Sequence, residues 1–260
     1  MDDIINRNGV DEQAVIQAVA EGLERFYTSL IAGIDKIDIK RIMSKKNPYL
    51  YRAKAMSSAS EIMETVLSAY VSSSEETIFG NVFFEPVAVV ASGGVKALAE
   101  GIDIMVDDRE RHTMYAIAVK SGTSVFNADS KRRQEQNFNA ASKLAQQARA
   151  YYNAIIGYGY GRKATTGKGQ AKIYEEMAGQ AFWEKLTGDP DFYIELIGYM
   201  GTLPEQYLED YKTAYNKALN RLVRDFSTMF CKADGAIDWE KLVRYNSGKE
   251  KPGRDFFNKK

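Results

Sequence analysis

The sequence predicts an α/β fold with helical additions, and three observations carry that reading. Apolar residues recur every three to four positions over residues 11–33, the period switches to two between residues 101 and 120, and a long helical pattern then leads into a short apolar run bounded by glycines. Taken in order, Val15, Val19, Leu23, Phe26 and Leu30 line one face of a first helix. Asn47, Pro48, Tyr49, Leu50 and Tyr51 read as an ordered, extended loop. Ser58 and Glu61 form a capping-box pattern that opens a second helix through Ile62, Val66 and Tyr70, with a break expected at Ser72, Ser73 and Ser74. Alternation of Ile102, Ile104 and Val106, a charged turn, and alternation of Tyr115, Ile117 and Val119 describe a β-hairpin. Residues 129–152 form a long helix with Gln134, Phe138, Ala141, Ala145, Ala148 and Tyr152 on one face, and residues 154–160 a strand suited to a buried edge of a sheet. Residues 175–243 are mostly helical, interrupted near Pro190 and Pro204.

Composition narrows the chemistry. With 260 residues, 45% hydrophobic and 27% charged, the chain can bury a sizeable core and is neither disordered nor low in complexity. One cysteine, Cys231, and one histidine, His112, exclude a disulfide framework and a Cys/His zinc site, leaving carboxylates, lysines and hydroxyls to do any catalysis. The most apolar stretch, 82–98, is broken by Glu85, Pro86, Gly93, Gly94 and Lys96, so no membrane span is expected. Two acids at the amino terminus argue against an export signal, and the expected location is the cytoplasm.

The formal charge of zero conceals segregation. Residues 53–110 carry ten acids and three bases, residues 130–174 carry one acid and nine bases, and residues 175–210 return to nine acids and one base. Acids beside bases suit a metal-dependent phosphodiester enzyme, in which carboxylates hold a cation and lysines hold a polyanion; solvated helix faces give the same count. At one point these charges can meet: Asp103 at the start of one hairpin strand and Lys120 at the end of the next lie on neighbouring strands.

That run, Gly101-Ile102-Asp103-Ile104, a hairpin, then Val119-Lys120-Ser121-Gly122 leading into a helix, resembles the PD-(D/E)xK nuclease superfamily, and within it the type II restriction endonucleases. The pieces Asn47-Pro48-Tyr49-Leu50-Tyr51, Ser74-Glu75-Glu76-Thr77 and Gly179-Gln180-Ala181-Phe182-Trp183 look like PmeII-type restriction enzymes. The resemblance implies a restriction-endonuclease-like central mixed β-sheet flanked by helices, with a helical C-terminal part. It further implies a single nuclease domain over 1–260, with its core at about 58–175 and helical additions at 1–57 and 176–260. Asp103 and a glutamate would hold Mg²⁺, and Lys120 would orient and help deprotonate an attacking water.

One departure is plain. The superfamily places an acid two residues before the lysine, where this chain has Ala118, and a methyl group cannot ligate a metal. The resemblance puts Glu76 on the first core helix as the replacement, with Glu135 on the following helix and then Glu85 as further candidates. Lys131, Arg132 and Arg133 at a helix start, and Arg162, Lys163 and Lys168 in a basic loop, are candidate DNA contacts. The partners implied are double-stranded DNA, a second copy of the chain in a homodimer, and a cognate DNA methyltransferase in the same cell. Two alternatives stay open: a DNA-binding protein that keeps the fold without cutting, and a PD-(D/E)xK nuclease outside restriction.

Overall fold

The computed structural model describes residues 4–165, 173–249, 252–253 and 256–257. The chain divides into two compact units, one of Met1–Phe26 with Thr77–Gln206 and the other of Tyr27–Glu76 with Tyr207–Lys260. In chain order the helices are α1 (Glu12–Asp35), α2 (Ile39–Met43), α3 (Pro48–Ala53), α4 (Ala59–Val82) and α5 (Phe84–Ala91). There follow strands β1 (Val95–Lys96), β2 (Ile104–Asp108) and β3 (Thr113–Lys120), helix α6 (Ala128–Gln147), and strands β4 (Tyr151–Tyr158) and β5 (Tyr174–Ala178). Helices α7 (Gln180–Thr187), α8 (Phe192–Met200), α9 (Leu203–Phe230) and α10 (Trp239–Ser247) complete the chain. This is the expected mixed sheet with flanking helices and a helical C-terminal part.

The first unit is built on a five-stranded sheet in the order β1-β2-β3-β4-β5. β1, β2 and β3 pair antiparallel, while β3, β4 and β5 pair parallel. Strand alternation sends Ala116, Ala118 and Lys120 to one face, in register with Ala154, Ile156 and Tyr158 of β4. Register continues into β5 through Tyr174, Glu176 and Ala178. Most of that face packs into one buried cluster with Phe138 and Ala141 of α6. On the opposite face β4 presents Gly157, where a Cβ would run into the ring of Phe182 on α7. A glycine is required there because the helix ring occupies the volume any side chain would take.

The second unit is helical. Asn47 caps α3 by accepting from the Leu50 N–H at 3.2 Å, with Pro48 at the first helical position. Residues 47–51 are therefore a helix start, not an extended loop, because a proline fits the first turn of a helix, where its missing N–H has no partner to lose. Asn246 of α10 donates to the carbonyls of Met43 and Lys46 at 2.9 and 2.7 Å. The Arg52 guanidinium lies 5.7 Å from the Trp239 ring centroid.

Four further differences from the expected elements have local causes. The capping box at Ser58 and Glu61 forms, but α4 runs without interruption past Ser72–Ser74 to Val82, with Ser74 Oγ donating back to the Tyr70 carbonyl at 2.8 Å. The long helix stops at Gln147 because Arg149 adopts a left-handed φ of 55°, so Tyr152 belongs to β4. β4 lies inside the sheet, not at its edge. Finally, residues 175–178, expected within a mostly helical stretch, belong to the edge strand β5.

Candidate active site

The site is assembled at the end of β3. Gly101 has a φ of +70°, a conformation open to glycine, and a Cβ there would collide with Asn137 of α6. Gln134 of α6 donates to the Gly101 carbonyl at 2.7 Å, and Arg133 pairs with Glu100, so the helix holds the loop that delivers Asp103. The Asp103 N–H then donates to the Ile117 carbonyl at 2.9 Å, and its Oδ2 accepts from the Val119 N–H at 2.6 Å. Lys120 completes the arrangement: its Nζ lies 3.3 Å from Asp103 Oδ2 and 2.9 Å from the Val119 carbonyl. Side-chain exposures of 28% for Lys120 and 21% for Asp103 leave both within reach of a ligand.

Ala118 is fully buried, among Ile102, Phe138, Ala154 and Ile156. The other candidate acids have surroundings of their own. Glu135 accepts from the Tyr174 hydroxyl of β5 at 3.4 Å. Glu85 of α5 pairs with Lys96 of β1 at 2.8 Å; that lysine's pKa is pushed up by Glu85 and, more weakly, by Asp103. Glu76, exposed on α4, is the last residue of the second unit's first segment. Among the described residues no three histidine, cysteine, aspartate or glutamate side chains gather as metal ligands. Mg²⁺ keeps several waters and is commonly held by one or two carboxylates together with substrate phosphate oxygens. Asp103 alone meets the lower bound of that requirement.

The basic residues separate into two kinds. Arg132 and Arg162 are exposed on the surface. Lys131, from the first turns of α6, and Lys163, from the loop after β4, both reach inward to Glu176, at 3.3 and 3.5 Å. Lys168 lies outside the described residues.

Glu176 was not anticipated. It is 1% exposed at the centre of β5, and the Tyr158 hydroxyl donates to it at 3.1 Å. Burial first, and then Glu176, push the Tyr158 phenol well above its ordinary range. In the sequence Glu175 and Glu176 sit in a run that favours helix, and no local signal marks one of them as buried.

Near this site, an apolar cleft of about 920 Å³ opens between Phe84, Tyr160, Trp183 and Ile197, with Arg162 and Lys163 among its lining. No helix among the described residues is long and apolar enough to cross a membrane.

Residues 13–206 match the family described as type II restriction endonuclease EcoO109I. No curated protein matches the chain.

Proposed function

The chain belongs to the type II restriction endonuclease EcoO109I family, and on that premise we propose that it is a Mg²⁺-dependent endodeoxyribonuclease that cuts double-stranded DNA at a specific sequence, with Asp103 and Lys120 as its catalytic residues. The observation that carries this reading is the 3.3 Å approach of Lys120 Nζ to Asp103 Oδ2 at an accessible strand end.

Asp103 would hold the metal, which when bound neutralises charge on the phosphodiester and makes a coordinated water more acidic. The chain's own residues supply the rest. The Val119 N–H and Lys120 fix the Asp103 carboxylate in one orientation. Lys120, held by Asp103 and by the Val119 carbonyl, keeps an ammonium N–H for the attacking water or a nonbridging phosphate oxygen. α6 immobilises the Asp103 loop through Gln134, so the carboxylate is set before substrate arrives. Glu76, Glu135 and Glu85 remain the candidates for a second carboxylate. Arg132 and Arg162 would contact backbone phosphates, along with Lys168.

A palindromic duplex presents one scissile bond on each strand, so a homodimer with two such sites is part of the proposal, as is a methyltransferase that protects the host's own copies of the target.

Plasmid digestion tests the reading. Wild type with Mg²⁺ should give discrete bands, and EDTA should abolish them. Asp103→Ala and Lys120→Ala should each lower cleavage at least a hundredfold while retaining most DNA affinity, because phosphate contacts elsewhere persist. Variants that cut as fast as wild type would remove Asp103 and Lys120 from the mechanism. Ala118 lends weight to a second reading, a DNA-binding protein without cleavage, which predicts sequence-specific binding and intact plasmid for the wild type.

A further inference from the structure

Among the described residues, three donors converge on one oxygen of Glu176: Lys131 Nζ at 3.3 Å, Lys163 Nζ at 3.5 Å and the Tyr158 hydroxyl at 3.1 Å. The two lysines come from different elements, α6 and the loop after β4, and neither spends its whole capacity on the carboxylate. An ammonium has three N–H donors, and these side chains remain 35% and 28% exposed while Glu176 is 1% exposed. The Lys163 ammonium also stands 5.1 Å over the ring of Tyr158. Tyr158 is the register partner of Lys120, so the lysine pair and the candidate catalytic lysine occupy neighbouring positions on one sheet face.

Glu176 does not replace the acid missing at Ala118. Ala118 pairs with Ile156, and Ile156 with Glu176, so two strand spacings separate the positions. That is about 10 Å at the usual interstrand distance. Two oxygens on one Mg²⁺ can be no more than about 4 Å apart. Asp103 is pinned to β3 and Glu176 to its two lysines, so the two carboxylates do not share a metal. A buried carboxylate is costly unless paired, and here the pairing leaves two cations side by side and facing out.

We propose that Glu176 is a positioning residue that gathers Lys131 and Lys163 into a phosphate-binding subsite, which holds a backbone phosphate beside the one attacked at Asp103 and Lys120. This rests on the endonuclease reading above. The anion completes what the carboxylate begins, since the bound phosphate accepts the N–H groups that Glu176 does not use.

The test measures DNA binding as a function of salt, without cleavage, in an Asp103→Ala background. Glu176→Gln keeps the shape and a partner for Tyr158 but removes the charge that draws both lysines together. In the Glu176→Gln variant, affinity should fall about tenfold near 150 mM salt, and the slope of log K against log salt should become shallower by about one, the share of one phosphate contact. Lys131→Gln with Lys163→Gln should reproduce that change, and adding Glu176→Gln to this pair should change nothing more. An unaltered slope, or tighter binding, in a Glu176→Gln protein with wild-type circular dichroism would overturn the subsite while leaving the nuclease reading intact. A parent protein that binds no DNA at any salt would overturn both.

Discussion

Ala118→Glu restores the acid that the superfamily pattern expects, and the structure makes its cost calculable. The Ala118 side chain is fully buried, in one cluster with Ile102, Phe138, Ala154 and Ile156. Overfilling a packed core costs about 1–3 kcal/mol, and a carboxylate brought into it costs several more unless paired. Lys120, two residues on along the same face, offsets part of this, while Asp103 beside it opposes the new charge. A net loss of about 3–5 kcal/mol is expected, which for a unit of this size lowers its Tm by roughly 10 °C. A second carboxylate next to Asp103 should at the same time strengthen Mg²⁺ binding. Metal at a hundred times its Kd returns about 2.7 kcal/mol, so the variant should regain over half its loss in Mg²⁺ and little in Na⁺ at equal ionic strength. Trp183, buried in the first unit, reports that unit's unfolding by fluorescence once Trp239 of the second is replaced by phenylalanine. An Ala118→Glu protein as stable as its parent, or one whose loss is indifferent to Mg²⁺, would refute the placement of this side chain beneath α6 and beside Asp103.

Other outcomes follow from the same geometry. Gly157→Ala drives a methyl into the Phe182 ring and should destabilise the first unit by about 3 kcal/mol, read as a lower urea midpoint. Replacing Gln134 with leucine removes the clamp on the Gly101 carbonyl; cleavage should fall at least tenfold with DNA affinity within twofold, because only the Asp103 loop is released. Burial raises the phenol pKa values of Tyr152, Tyr158 and Tyr174 above their ordinary value of 10.0, with Glu176 adding to the last two. The folded state therefore favours the neutral phenols. Stability should stay level up to about pH 9 and decline as pH rises past 10, where the unfolded chain loses protons that the folded chain keeps. Urea midpoints between pH 8 and 11 check this, and a midpoint rising over that range would contradict it.

The parts of the site legible in the sequence were those fixed by local periodicity. Alternation over residues 101–120 gave the β2–β3 hairpin, and with it the meeting of Asp103 and Lys120, because a strand's side chains repeat every two residues whatever surrounds it. α1 and the start of α4 were readable for the same reason, from apolar spacing and a capping box. β5 was not. Tyr174-Glu175-Glu176-Met177-Ala178 contains good helix formers, and its extended form is imposed by parallel pairing with β4. Among the described residues, Lys131, 45 positions away in the chain, Lys163 and the Tyr158 hydroxyl compensate the buried Glu176. The Lys131 contact lies far outside any local window of sequence. Asn47 and Pro48 are the opposite case: the cap is written in the sequence, but a proline after a polar residue signals a helix start and a loop alike.

The mixed pairing of the sheet also sets an order of assembly. β2 and β3 are neighbours along the chain and can zip together through a short turn, whereas β3 and β4 meet only after the intervening α6 has spanned the crossover. β5 has no surface to join until β4 is in place. A chain caught midway in refolding should therefore already hold Asp103 against Lys120 while Glu176 is still in water. In pulse-labelling hydrogen exchange, amides of β3 that face β2 should gain protection before those of β5, so the anchoring carboxylate arrives last at a face whose chemistry is already laid out.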